Sequence, residues 1–105
     1  MAYNKYSAKK TTVDGIVFAS KREARRYQEL KLMEKGKAIE NLELQPKFQI
    51  VWKGILICTY IADFRYYDRE LKKTICEDVK GVKTDVYKLK KKLVFACHGI
   101  EITET

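Results

Sequence analysis

From residue 11 onward the chain changes its apolar rhythm several times, and each change marks an element. Thr11 to Val13 and Ile16 to Phe18 are β-branched or aromatic runs on either side of Asp14-Gly15, a pair that tolerates positive φ and so signals a tight hairpin. Ser20-Lys21-Arg22-Glu23 then has the Ser-x-x-Glu spacing of a capping box, and strong helix formers continue to Gly36. This predicts a first helix over about 20–35. Ala24, Tyr27, Leu30 and Met33 recur along it as a buried stripe, while Arg22, Arg25, Arg26 and Lys31 mostly face elsewhere. Glu23, one turn before Tyr27, lies close to that stripe.

Between Ile39 and Trp52 the period shortens to alternation, with a bend or sheet edge expected at Gln45-Pro46. Gly54 turns the chain into a second β-branched and aromatic run, Ile55 to Tyr67, and a polar turn at 68–73 leads to a third, Thr74 to Lys80. Three strands in an antiparallel meander are expected. From Thr84 to Cys97 helical spacing returns, with Val86, Leu89, Leu93 and Ala96 as the apolar positions. Gly99 to Thr103 reads as a last strand, placed parallel to a neighbour by a right-handed crossover. The predicted order is hairpin, α, β, β, β, α, β: an α/β fold with a central mixed sheet, two flanking helices and a short N-terminal β-hairpin.

Length and composition narrow the picture. A chain of 105 residues has room for a single core, and 46% apolar with 34% charged residues suits a small folded domain over residues 1–105. Twenty-two Lys and Arg against fourteen Asp and Glu leave a net charge of +8, which makes a polyanion the expected partner. No apolar run approaches the ~18 residues of a membrane span, and the N-terminus has no apolar signal core, so an intracellular protein is expected. Cys58, Cys76 and Cys97 lack Cys-x-x-Cys spacing and read as reduced core residues. His98 stands before Gly99 at a helix end, where a cation-capable side chain suits the dipole. Residues 1–10, with Tyr3, Lys5, Tyr6, Lys9 and Lys10, read as a basic tail or an arm that orders on phosphate.

Catalysis by so basic a chain requires acids where a cationic surface would not call for them. Asp63 interrupts Tyr60-Ile61-Ala62-Asp63-Phe64, a run otherwise fit for burial, where a carboxylate is costly unless paired or metal-bound. Asp78 and Lys80, two apart on the next strand, point to one face, and strand pairing can bring them beside Asp63. Two or three such carboxylates can hold Mg²⁺ or Mn²⁺ with positions left for water and phosphate oxygen, while a lysine activates water or stabilises developing charge. The pattern Asp/Glu-x-Lys occurs three times, at Glu29-Leu30-Lys31, Glu70-Leu71-Lys72 and Asp78-Val79-Lys80. The first falls inside a helix and the second in a turn, leaving the third on a strand that follows another acid-bearing strand.

On these residues the chain resembles the PD-(D/E)XK nuclease superfamily, and within it a family of small phage-encoded proteins. The resemblance runs through Val13-Asp14-Gly15-Ile16, Ser20 to Tyr27, Leu44-Gln45-Pro46, Tyr60 to Phe64 and Glu77-Asp78-Val79-Lys80-Gly81, nearly the whole chain. It implies a restriction-endonuclease-like αβββαβ core. It also implies a metal site of Glu23, Asp63 and Asp78, catalytic use of these with Lys80, and a supporting role for Gln45. Ala62 stands where many members have the proline of the motif. The implied activity is Mg²⁺- or Mn²⁺-dependent endonucleolytic cleavage of DNA, with branched DNA such as a Holliday junction in phage replication or recombination as the narrower expectation, and a homodimer to cut two strands.

Other readings compete. Glu23 can be simply the third residue of a capping box, and Asp63 with Lys80 a cross-strand ion pair. Glu77 points away from Asp78 and reads as solvated or salt-bridged, and Gln45 can satisfy backbone groups at a bend. Lysines 88 to 92 can be a solvated helix face, yet Arg22, Arg26, Lys83, Lys88 and Lys91 together make a phosphate-facing surface plausible, with Tyr66, Tyr67 and Tyr87 as stacking candidates. The alternative function is a non-catalytic nucleic-acid-binding module with the same fold. A nuclease-like subunit that acts only inside a larger assembly is the third.

Overall fold

The structure, a computed structural model, describes residues 9–105; the expected contacts of Tyr3, Lys5 and Tyr6 lie outside the described residues. β1 (Thr11–Val13) and β2 (Ile16–Phe18) pair antiparallel around Asp14 and Gly15, whose φ values of 53° and 75° are those of the expected turn. Ser20 has extended backbone and its Oγ accepts the Glu23 N–H at 3.1 Å, which starts α1 (Lys21–Lys35) where the capping pattern predicts. Ala24, Tyr27 and Leu30 are its buried face, with Met33 only half-buried.

The two long strand segments are each broken once, at the same level. β3 (Ile39–Leu44) and β4 (Lys47–Trp52) separate at Gln45-Pro46, and β5 (Ile55–Ile61) and β6 (Phe64–Asp68) separate at Ala62-Asp63. β3 pairs with β6 and β4 with β5, and the bonds Gln45 N–H to Asp63 O (2.9 Å) and Ala62 N–H to Pro46 O (3.1 Å) carry the pairing through the break. The result is one long hairpin with a bend in its middle. Gln45 adopts a left-handed φ of 52°, and Pro46 has no N–H to continue the ladder, so the chain must turn here. Five strands therefore lie between the helices where three were expected, and β4–β5 leaves the central sheet.

That sheet has the order β3-β6-β7-β8, with β7 (Lys73–Asp78) antiparallel to β6 and β8 (Ile102–Glu104) parallel to β7. The crossover between β7 and β8 runs through α2 (Asp85–His98), capped by Thr84 at its start and by left-handed Gly99 at its end. The fold is mixed α/β, with a central mixed sheet, two helices and an N-terminal hairpin. Among the described residues no helix is long and apolar enough to cross a membrane.

Both faces of the sheet are covered. α1 packs Tyr27 and Leu30 with Phe18, Ile39, Phe64 and Tyr66; α2 packs Tyr87 and Val94 with Phe48, Ile50, Tyr60, Cys76 and Ile102. Pleat alternation sends Cys76 to one cluster and Ile75 and Val79 to the other. The stripe expected on α2 is corrected: Val86 and Leu89 are 63% and 58% exposed, Ala96 is exposed, and of the four only Leu93 is partly covered. Spacing alone allows a second stripe through Tyr87 and Val94. The hydroxyl of Tyr87 decides between them, since turned inward it donates to Glu104 at 2.7 Å. The same rotation leaves Cys97 exposed, against the expectation of a core cysteine, while Cys58 is half-buried and Cys76 buried. His98 packs against Phe48, and its Nε2 donates to Gln49 O at 2.7 Å.

Candidate functional site

The bend in the long hairpin places Asp63 at the junction of β5 and β6 rather than within a strand. Its N–H donates to Glu77 O at 3.0 Å and its Oδ2 accepts the Val79 N–H at 2.7 Å, so the residue is pinned to the end of β7 by backbone and side chain together. Phe64 is opposite Glu77, and one step further along this antiparallel register Asp63 comes beside Asp78. Asp78 is fully buried; its backbone O accepts the Thr105 N–H at 2.9 Å, tying it to the end of β8. Lys80 lies just past β7, held by its N–H to Thr105 O at 3.3 Å. Its Nζ is 3.8 Å from Asp78 Oδ1 and 4.4 Å from the centre of the Tyr87 ring, a cation–π contact that steadies the ammonium over the same site.

Glu23 enters from the first turn of α1. Together with Asp63 and Lys80 it lines a groove of about 490 Å³ that Ala19, Ser20, Arg22, Val79, Gly81, Val82 and Thr84 complete. Gln45 is not part of this groove: its side chain is exposed, and its support for Asp63 is the backbone bond across the bend.

Burial and mutual repulsion set the electrostatics. Glu23 is pushed up to about 7, mainly by desolvation and then by the charges of Asp63 and Asp78, against the pull of Lys80 and the Ala19 amide. Asp78 is raised to about 6 by burial, which Lys80 and the nearby Asp63 amide offset only in part. Asp63 is also raised by burial, with the Val79 amide and Lys80 opposing. Three carboxyls are thus held where ionisation is unfavourable. Neither oxygen of Asp78 has a hydrogen-bond partner among the described residues, although burial of a bare carboxylate is among the costlier arrangements in a folded chain. A divalent cation would satisfy those oxygens and relieve the repulsion at Glu23. Among the described residues no three Asp, Glu, His or Cys side chains converge as a metal-binding group; Glu23 and Asp63 line the groove, and the buried Asp78 does not.

Behind the site lies a network that the sequence pattern did not disclose. Glu77 is fully buried, so of its two expected roles the salt bridge holds and solvation does not: Arg26 donates to both its carboxylate oxygens, from Nε at 2.8 Å and from an Nη at 2.7 Å, while Tyr66 donates its hydroxyl to the same group. The hydrogen-bonded carboxylate raises the Arg26 guanidinium, and burial together with that carboxylate raises the Tyr66 hydroxyl, so both stay protonated. Arg26 is therefore an internal ion-pair partner and not part of a phosphate-facing surface. The available signal was Glu77's parity opposite Asp78 on a strand covered on both sides, which requires a buried cation behind it.

The remaining basic candidates divide. Arg22 and Lys88 are exposed, whereas Lys83 and Lys91 meet the Glu104 carboxylate at 3.0 and 3.5 Å. With the Tyr87 hydroxyl, these contacts hold Glu104 down to about 2. Tyr66 and Tyr87 are buried, so base stacking is corrected to core packing for both; Tyr67 is half-buried.

No curated protein and no solved structure matches the chain. A family model described as protein of unknown function (DUF1064) matches residues 3–104, a span that includes every residue of the groove, and the chain belongs to that family.

Proposed function

We propose that the protein is a divalent-metal-dependent nuclease of the PD-(D/E)XK type that hydrolyses phosphodiester bonds in DNA. The carrying observation is the buried Asp78 carboxylate, which has no hydrogen-bond partner among the described residues, beside Asp63 and with the Lys80 ammonium 3.8 Å away, the charges of both aspartates being felt at Glu23. In this reading Asp63, Asp78 and Glu23 hold Mg²⁺ or Mn²⁺. The bound ion supplies Lewis-acid polarisation of the phosphate and a more acidic water.

The chain's own groups do the rest. Lys80, steadied over Tyr87, neutralises charge that builds on a phosphate oxygen and orients the attacking water. Glu23, pushed up to about 7 by burial and by the charges of Asp63 and Asp78, would be held in its charged form by a bound cation and so serve as the third oxygen donor. Arg22 at the groove and Lys88 on α2 offer cations to the DNA backbone. Branched DNA in phage replication or recombination is the narrower proposal for the substrate, and host cytoplasm for the location.

The test is incubation of wild type and Asp78→Asn with linear, nicked and four-way DNA in Mn²⁺. Cleavage by wild type alone supports the enzyme. Equal binding by both with no cleavage of any substrate overturns it in favour of a binding module. A second readout needs no turnover: Mn²⁺ should raise the melting temperature of wild type and leave that of Asp78→Asn unmoved.

A further inference from the structure

Gly99 reverses the chain between α2 and β8, and a cleft of about 540 Å³ opens between the two elements. Phe95, Ile100 and Ile102 give it apolar walls. Lys88, Lys91 and Lys92 follow one another along its α2 side at the three- and four-residue spacing of one helix face, and Phe95 continues that face. The two ends of the cleft differ. At one, Tyr87 donates to Glu104 at 2.7 Å; the Tyr87 ring carries the Lys80 ammonium, and Glu104 is the register partner of Asp78, so this end adjoins the buried aspartate. At the other stand Phe95 and Glu101, both exposed. Of the chain's four phenylalanines, Phe18, Phe48 and Phe64 are at most 4% exposed, whereas Phe95 is 58% exposed.

We infer that this cleft takes one unpaired nucleotide of the DNA strand that passes the groove, its base on Phe95 and Ile100 and its phosphates on Lys88 and Lys92. The inference rests on the nuclease reading for the identity of the strand, and it narrows the substrate to DNA with unpaired nucleotides beside the scissile bond. The volume is that of a site for one nucleotide-sized ligand. An exposed aromatic face next to cations is what a base with its phosphate recognises. Glu104 does not repel the strand, because Lys83 and Lys91 meet its carboxylate at 3.0 and 3.5 Å and leave the exposed Lys88 and Lys92 to meet phosphate. Glu101 can accept from the amine edge of a base, a group that an acyl chain does not offer, so the cleft suits a nucleotide better than a lipid. A paired base cannot enter without leaving its stack, so continuous duplex fills the groove and not the cleft.

The test reads binding and needs no cleavage. Metal-free wild type in a chelator is titrated against three fluorescent DNAs of one sequence, with anisotropy as the signal. One is a blunt duplex, one carries a short single-stranded extension at its 5′ or 3′ end, and one carries the same extension made abasic, which keeps the phosphates and removes the bases. The extension with bases should bind at least ~5-fold tighter than the abasic one. Phe95→Ala should reduce that preference to within ~2-fold and leave the affinity for blunt duplex unchanged, while Phe95→Tyr, which keeps a stacking face, should retain it. If Phe95→Ala fails to fold by far-UV circular dichroism, the two extensions compared on wild type decide alone. Equal affinity of wild type for both extensions overturns the inference, as does a preference that folded Phe95→Ala keeps. So does a cleft that serves lipid instead, seen as binding of anionic phospholipid vesicles that Phe95→Ala abolishes with no preference between the extensions. Cleavage in Mn²⁺ without a preference for bases would remove the cleft and leave the enzyme; a Phe95-dependent preference without cleavage of any DNA would do the opposite.

Discussion

Glu77 and Asp78 are consecutive residues on β7, both fully buried, and they receive opposite treatment: Glu77 has bidentate Arg26 and the Tyr66 hydroxyl, and Asp78 has, among the described residues, no hydrogen bond to either carboxylate oxygen. Pleat alternation makes this possible by aiming the two side chains at opposite faces of the sheet, Glu77 toward Arg26 of α1. The paired acid locks β7 against α1. Among the described residues Asp78 has only the Lys80 ammonium, 3.8 Å from Oδ1, and the proposed cation would satisfy its oxygens.

Removing the buried Asp78 charge should stabilise the metal-free protein. Asp78→Asn replaces a buried charge with a neutral side chain of the same shape, and at pH 8 without metal it is expected to melt about 5 °C higher, the equivalent of roughly 1 kcal/mol in a domain of this size. The same variant should lose all Mn²⁺-dependent cleavage. Calorimetry in the presence of a chelator checks the first part, and a lower melting temperature would count against the unpaired charge.

Breaking the Glu77 pair should do the reverse. Arg26→Ala leaves a buried carboxylate facing Tyr66 alone and should cost about 3–5 kcal/mol in urea unfolding. Arg26→Met with Glu77→Leu, which removes both charges and keeps the volume, should recover most of that loss. If the double variant is as unstable as the single one, the network contributes through shape and not through charge.

The raised carboxyls predict a pH dependence with a definite sign. A carboxyl whose pKa is higher in the folded than in the unfolded chain favours folding while it is protonated; that contribution is whole below the unfolded value and is lost as pH rises through the folded one. For Glu23 the window runs from its ordinary 4.5 to about 7, and for Asp78 from 3.8 to about 6. Metal-free protein should therefore lose stability between about pH 4 and pH 7. Glu23→Gln, which keeps the helix cap, should flatten the upper part of that window and reduce cleavage. Melting curves at fixed ionic strength, with and without Mn²⁺, measure both; an unchanged slope in the variant would leave Glu23 as a cap alone.

DNA affinity should respond to Lys88 and Lys92, which are exposed, more than to Lys91, which faces Glu104. Lys88→Ala with Lys92→Ala should reduce the slope of log K against log salt by about 2, whereas Lys91→Ala should change it by less than ~1. Fluorescence anisotropy titrations at three salt concentrations read this directly. Equal slopes for all variants would turn α2 away from the DNA.

Local patterns in the chain determined the two helices, the hairpin and Asp78 as an acid set into a strand, but neither the burial of Glu77 nor the division of the long strands. Asp14-Gly15, the Ser20 cap and the alternation around Tyr60 act over a few residues, so their consequences were legible without the fold, as was the parallel last strand after a crossover helix. Gln45-Pro46 signalled a bend, but only pairing across the hairpin shows that it breaks both segments at one level and brings Asp63 to the end of β7. The inward face of α2 was equally out of reach, because two apolar stripes share that helix and the Tyr87–Glu104 bond that selects one joins residues on different elements. Arg26 read as a surface cation until a carboxylate 51 positions away claimed it. Periodicity reports which side chains avoid water; which buried charges find partners depends on contacts between segments distant in sequence, and only the tertiary structure decides those.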